Sequence, residues 1–255
     1  MNIRGILITI LAAVAAIFLA TAGHINAQTA GPKTAWGEPD LSGVWKVAAP
    51  VGARGGKDTL NLARLDRLYK PDARKSVSPK DDPSLRCRPS PFPRAAFMGG
   101  SIEITQAPGM TYVFTEAFPT YRIIPTDGKR RLTADFLIPY FMGNSAAHWE
   151  ADTLVVDVVS FNGEGWLASG EDKPSTGSPG VWPTSDQMKV TERWRRANAD
   201  TLEYQARVED PGVLTGPWET PRITLKRQNV DRIEEAMCIE RDGASAYLER
   251  YGLKN

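Results

Sequence analysis

Histidine is almost missing from this chain. Among its 255 residues only His24 and His148 are histidine, and the first lies in an N-terminal segment that reads as a removable leader. A mechanism needing two histidines is thereby excluded, and a zinc site lacks ligands. Cysteine is as scarce, with Cys87 and Cys238 alone. No Gly-x-Ser-x-Gly elbow, phosphate-binding glycine loop, dinucleotide fingerprint or EF-hand spacing occurs. Excess charge is missing too. The leader carries Arg4 and no acid, so removing it takes one of the 31 basic residues, leaves the 30 acids untouched and makes the mature chain formally neutral. Neutrality gives no electrostatic basis for binding nucleic acid or an anionic membrane. No metal and no cofactor is expected.

The leader itself is legible. Met1-Asn2-Ile3-Arg4 forms a short positive region, Gly5 to Gly23 is an uncharged apolar run, and His24-Ile25-Asn26-Ala27 offers a small residue at a cleavage point. This is the layout of a secretory signal peptide spanning 1–27, and it implies a periplasmic or secreted protein. The alternative is an uncleaved anchor, since about 20 apolar residues span a bilayer; the chain turns polar at Gln28-Thr29, which favours cleavage and no stable membrane insertion afterwards. Residues 28–255 then fit one large domain. In an oxidising compartment, Cys87 and Cys238 are expected to form a disulfide, worth about 4–5 kcal/mol by chain entropy as an upper estimate; two buried free thiols are the alternative. Nothing in the sequence sets the oligomeric state.

Strand signals dominate the mature chain. Short alternating runs at Asp40–Val47, Ile102–Gln106, Thr111–Glu116, Tyr121–Pro125, His148–Val159, Met188–Val208, Arg222–Arg227 and Arg232–Glu240 are separated by Gly, Pro, Asn and Asp. They predict an all-β fold, an antiparallel up-and-down β-barrel with long loops. One short helix is expected at Leu60–Tyr69, stopped by Pro71. The stretch Asn162–Asp186 is rich in Gly, Pro and Ser and holds Trp166 and Trp182; it reads either as a binding loop or as a mobile surface loop.

Side chains alternate across a strand, so each run sorts into two faces. Leu202, Tyr204, Ala206 and Val208 form an apolar face, matched across the turn at Asn198-Ala199-Asp200 by Met188, Val190, Glu192 and Trp194. Glu116 shares a face with Tyr112 and Phe114, and Glu235 with Ile233, Met237 and Ile239. Three carboxylates thus fall on expected inner faces, where an unpaired charge costs several kcal/mol. Either arginines such as Arg122 or Arg193 pair with them, or they line a polar cavity. Basic clusters at Lys129-Arg130-Arg131 and Arg193–Arg196 read as solvated faces.

His148 lies in Asn144-Ser145-Ala146-Ala147-His148-Trp149-Glu150-Ala151-Asp152-Thr153-Leu154-Val155-Val156-Asp157. With Ala151-Asp152 as the turn, Trp149 faces Leu154, His148 faces Val155 and Ala146 faces Asp157. His148 and Asp157 are then diagonal neighbours roughly 7–8 Å apart at the backbone. Inside a cavity, Asp157 would orient the imidazole for general acid–base work; on a solvent face the pair is a weak surface contact. Ser145, three residues from His148, points to the opposite face and cannot be its nucleophile.

Several stretches together resemble a family of secreted, largely uncharacterised β-rich proteins of proteobacteria and acidobacteria. They are Trp36-Gly37-Glu38-Pro39-Asp40-Leu41-Ser42-Gly43-Val44-Trp45, Arg86-Cys87-Arg88-Pro89, and His148-Trp149-Glu150-Ala151-Asp152-Thr153-Leu154-Val155-Val156-Asp157, with Glu116, Arg122, Glu192-Arg193 and Cys238. The resemblance covers nearly all of the mature chain and implies topology and secretion more than an activity. Relatives often carry a histidine near Pro119 that this chain lacks. Separately, Gly43-Val44-Trp45 is similar to the Gly-x-Trp opening of lipocalins, which implies calycin-like closure. Function has to be argued from the site.

Two functional expectations follow. The first is a barrel that binds a small, largely apolar or aromatic molecule in its cavity, with Tyr112, Phe114, Tyr121, Trp166, Trp182 and Trp194 as lining residues. The second is a cofactor-independent proton-transfer enzyme (isomerase, lyase or hydratase) in the same cavity. There His148 is the acid/base, Asp157 orients it, Glu116 or Glu192 supplies a second carboxylate and Arg122 stabilises negative charge.

Overall fold

A computed structural model describes residues 31–48, 61–117, 120–129, 138–168, 180–234 and 238. All belong to one unit beginning at Gly31, and the expected signal peptide at 1–27 lies outside them.

Among the described residues, ten strands build a single antiparallel sheet. They are β1 (Gly43–Val47), β2 (Ser101–Ala107), β3 (Met110–Thr115), β4 (Thr120–Pro125), β5 (Asn144–Glu150), β6 (Thr153–Val159), β7 (Lys189–Asn198), β8 (Thr201–Glu209), β9 (Trp218–Glu219) and β10 (Ile223–Arg227). The ladder runs β4-β3-β2-β1-β10-β8-β7-β6-β5, with β9 on β8. Read around the ring, this is chain order, joined where β1 pairs β10 (Trp45 with Arg227). The two ends of the ladder, β4 and β5, come into contact without a ladder between them among the described residues. The sheet is therefore a nearly closed up-and-down barrel, as the sequence leads one to expect. Strands β9 and β10 share one edge of β8: β10 pairs its first half and β9 its second. Pro221 falls in the break, where it has no N–H to give a ladder, and Thr220 stands in by accepting from Ala206 N–H through its hydroxyl.

The register confirms the faces of β5 to β8. Trp149 pairs with Leu154, His148 with Val155 and Ala146 with Asp157; Glu192 pairs with Ala206 and Trp194 with Tyr204. Leu154, Val156, Val158, Val190, Trp194, Leu202, Tyr204, Ala206 and Val208 are all buried. Trp45, from the Gly-x-Trp step, is fully buried and donates its indole N–H to Leu41 O, while the guanidiniums of Arg196 and Arg227 lie over its ring at 5.3 and 5.9 Å. Gly43, two residues earlier, has a φ of +137°, a backbone conformation that favours glycine.

Three expectations need correction. The helix α1 is Leu62–Leu68, shorter than Leu60–Tyr69, because Tyr69 is extended and bridges Leu214, in keeping with the bias against helix just ahead of Pro71. Residues 232–234 form no strand; Glu235 and the rest of that run, except Cys238, lie outside the described residues. The segment between α1 and β2 also carries structure that its proline content concealed: two 3-10 turns at Pro79–Asp81 and Pro83–Arg86, and a one-turn helix α2 at Arg94–Phe97.

That segment enters the barrel. Phe92 is buried with its ring edge-on to Trp194 of β7 and Tyr204 of β8, at 5.7 and 6.1 Å between centroids. The guanidinium of Arg122, on β4, lies 4.2 Å from the same ring. Phe97 adds a second edge contact to Tyr204 at 6.1 Å. Asp82 and Arg94 pin this plug with a buried two-pronged ion pair, 2.8 and 2.7 Å, and Cys87 is bonded to Cys238.

Candidate functional site

Glu192 is the one carboxylate on the inner face of β7, and it is wholly buried. Arg122 reaches it across the barrel with both terminal nitrogens, at 2.5 and 2.9 Å. Trp194, two residues on along the same face, donates its indole N–H to the same carboxylate at 2.9 Å. A carboxylate with three donors is fully neutralised, which is the condition for keeping it inside a low-dielectric core. Burial works to lower the pKa of Arg122, but the charge and hydrogen bonds of Glu192 outweigh it and raise the value. The guanidinium therefore stays charged. The expected pairing of an inner carboxylate with Arg122 is what the structure holds.

Two polar atoms beside this pair have no hydrogen-bond partner: the Tyr204 hydroxyl and Arg122 Nε. Tyr204 is fully buried. Burial, then the charge of Glu192, push its phenol well above the usual value, with Arg122 pulling the other way. Tyr204 is thus a neutral phenol with a free donor, and Arg122 Nε is a second free donor. The walls around them are Phe92, Phe97 and Trp194. The interior of the barrel is an aromatic box with a balanced ion pair and unused hydrogen-bonding capacity.

The remaining expected site residues separate from this cluster. His148 is on the outer face, with its side chain 49% exposed, and its Nε2 lies 3.4 Å from Glu150 Oε1. Asp157 is exposed as well and accepts from the Thr191 hydroxyl at 2.9 Å. It borders a shallow outer depression of about 340 Å³ with Lys189, Thr191 and Glu209. His148 and Asp157 are thus diagonal neighbours that each hold a different partner, and neither faces Glu192 or Arg122. The expected single constellation of His148, Asp157, Glu116, Glu192 and Arg122 is split by the sheet, because parity puts His148 opposite in sense to Trp149. Glu116 sits at the end of β3 and accepts from the Ser101 N–H at 2.7 Å, a bond that lowers its pKa.

The aromatic set divides in the same way. Trp182 and Trp194 are in the core and Trp166 is buried. Trp182 donates to Asp66 of α1 at 3.1 Å. Leu167 N–H bonds Trp182 O and Thr184 N–H bonds Gly165 O, so the described parts of the tryptophan-bearing loop are packed structure. A Cβ on Gly165 would lie 2.9 Å from Pro91, so the loop seats directly on the plug. Tyr112, Phe114 and Tyr121 are corrected to the outer face: Phe114 and Tyr121 pair across β3 and β4 with rings 6.4 Å apart, and Tyr121 is 63% exposed. The buried side of β3 is Thr111, Val113 and Thr115. Arg122, whose Cα is level with Val113, shares this inner side and carries its guanidinium to the Phe92 ring.

Sequence reasoning missed Phe92 and treated Tyr204 as plain core. Phe92 sits in a run of prolines and arginines with no periodicity to place it, and only the unpartnered hydroxyl marks Tyr204 out. Among the described residues no three His, Cys, Asp or Glu side chains converge on a metal-sized space, and no helix is long and apolar enough to cross a membrane.

The fold and this interior define a class, a plugged all-β barrel. No family model matches the chain, and no curated protein does. Among solved structures, a crystal structure of a single-substitution mutant of the fluorescent protein UnaG is similar at 10% identity and a TM-score of 0.33, covering 75% of this chain and 97% of that one. At that score the likeness adds nothing to what the strand ladder itself shows.

Proposed function

We propose that the chain is exported, loses residues 1–27 and serves in the periplasm or outside the cell as a binding protein that holds a small, largely apolar molecule inside its barrel. One observation carries this reading. An aromatic interior contains a neutralised Arg122–Glu192 pair and, beside it, two donors without partners, Tyr204 Oη and Arg122 Nε. A buried donor left unmade costs about 1–3 kcal/mol, so a guest that supplies an acceptor is held by what the empty protein lacks. Aromatic walls with a few placed polar groups are the usual make-up of a small-molecule site. The proton-transfer alternative has lost its histidine to the outer face, and no other observation favours it.

The test is organic-solvent extraction of the purified mature protein with mass spectrometry of the extract, alongside native mass spectrometry of the intact chain. A retained small molecule is expected, with quenching of the buried tryptophans when it is added back. An empty protein that binds none of a broad panel of apolar compounds overturns the reading.

A further inference from the structure

The interior already contains one bound ring. Phe92 does not belong to the sheet. It lies between Pro91 and Pro93, neither of which has an N–H, and the backbone hydrogen bonds shown here are local, Ala95 N–H to Pro91 O and Ala96 N–H to Pro93 O. No ladder bond has to break for the ring to leave. Its surroundings come from strands on different sides of the barrel: Arg122 over the face, Trp194 and Tyr204 at the edges. This is the way a protein grips an aromatic guest, with a cation on the π-face and edge-to-face contacts around it.

Resting on the interior-binding reading above, we propose that the guest is an uncharged planar aromatic molecule bearing an acceptor oxygen, and that its ring takes the place now held by Phe92 with the oxygen on Tyr204 Oη. Each part of the description has a separate cause. The ring follows from the box that holds Phe92. The lack of charge follows from the Arg122–Glu192 pair, which is already balanced, so that an added ion would be buried without a partner. The acceptor follows from the unpartnered atoms, since Arg122 Nε can only donate and a phenol kept protonated by burial is free to donate. Phe92 contributes a benzyl group and no acceptor, and so fills the space while leaving both donors unused. It acts as a resident competitor.

The experiment uses the mature chain and three naphthalenes of similar shape: 2-acetylnaphthalene, 2-ethylnaphthalene and 2-naphthoate. Binding is followed by calorimetry and by quenching of the buried tryptophans. A Phe92→Ala cavity on its own binds any apolar ring, so the decisive quantity is the preference for acetyl over ethyl. That preference is expected to be about 3- to 10-fold, the worth of one hydrogen bond, and to vanish when Tyr204→Phe is added. 2-Naphthoate is expected to bind weakest, and 2-acetylnaphthalene to bind at least about tenfold tighter to Phe92→Ala than to the wild-type chain. The same preference is read in Phe92→Leu and in the wild-type chain, each with and without Tyr204→Phe, so the outcome does not depend on Phe92→Ala folding. Equal binding of the acetyl and ethyl compounds, or a preference that survives Tyr204→Phe, overturns this inference and leaves interior binding standing. A natural guest recovered by extraction that is anionic or aliphatic overturns it in the same way. Absence of binding by every probe to every variant, together with an empty extract, overturns both.

Discussion

Strand β7 presents two neighbouring residues to opposite worlds. Glu192 turns inward to Arg122 with its side chain fully buried, and Arg193 turns outward to Glu150, 2.7 Å away, with the two side chains 46% and 50% exposed. The contacts are the same in kind, a guanidinium on a carboxylate at hydrogen-bond distance. Their consequences differ because of the medium. Inside, neither ion has water to fall back on, so the pair is obligatory once one member is present. Outside, water and salt replace either partner at little cost. The sheet, one residue thick, separates a cluster that has to be satisfied from one that merely can be.

The sharpest way to break this comparison is to remove one inner partner. Glu192→Ala leaves Arg122 charged and buried, and a loss of about 3–5 kcal/mol is expected in urea unfolding. Replacing both members together, Arg122→Met with Glu192→Leu, is expected to recover most of that loss; a double variant no more stable than the single one would show that the pair does more than neutralise itself. Next in size, and opposite in sign, is Tyr204→Phe. It deletes a hydroxyl without a partner and should leave the empty protein unchanged or up to about 1 kcal/mol more stable.

A smaller effect appears in acid. Glu116 has its folded pKa lowered by the Ser101 N–H, so it favours the folded state above its unfolded pKa and that contribution disappears as pH falls through the folded value. Glu116→Gln should therefore lower the neutral part of the stability curve, leave its low-pH end unmoved and so flatten the acid limb. The smallest effects belong to the outer cluster. Arg193→Ala and His148→Ala are expected to leave the unfolding midpoint and any ligand affinity within repeat error, with the little that Arg193 contributes erased by added salt. A large loss from His148→Ala would return the outer hairpin to consideration.

Much of this comparison was legible in the residues. Strand parity and the turns at Ala151-Asp152 and Asn198-Ala199-Asp200 gave the β5–β6 register and the matching faces of β7 and β8, which placed Glu192 among apolar neighbours with Arg122 or Arg193 as its expected partner. Parity sorts side chains into two sets, however, and does not say which set faces in. On β7 and β8 the apolar bulk decided the matter. On β3 it misled, because Tyr112 and Phe114 are large and outside while Thr111 and Thr115 are small and inside. A segment with no periodicity at all, the one that carries Phe92, supplies the interior aromatic that parity had sought on β3. For His148 the apolar partner Val155 concealed the exposure, since Val155 is itself buried on the outer side.

The closing ladder sets the order in which the barrel can be made. Every other ladder joins strands that are consecutive in the chain or, for β8 and β10, next but one, and each closes a shorter loop than the join across the whole barrel. The join between β1 and β10 is the exception, with Trp45 level with Arg227. A chain emerging from its amino end must leave β1 with one edge bare until the last described strand arrives. Until then, that edge is an open template for pairing with another chain. A factor that shields β1 during synthesis would therefore raise the yield of folded protein more than one acting on any later strand.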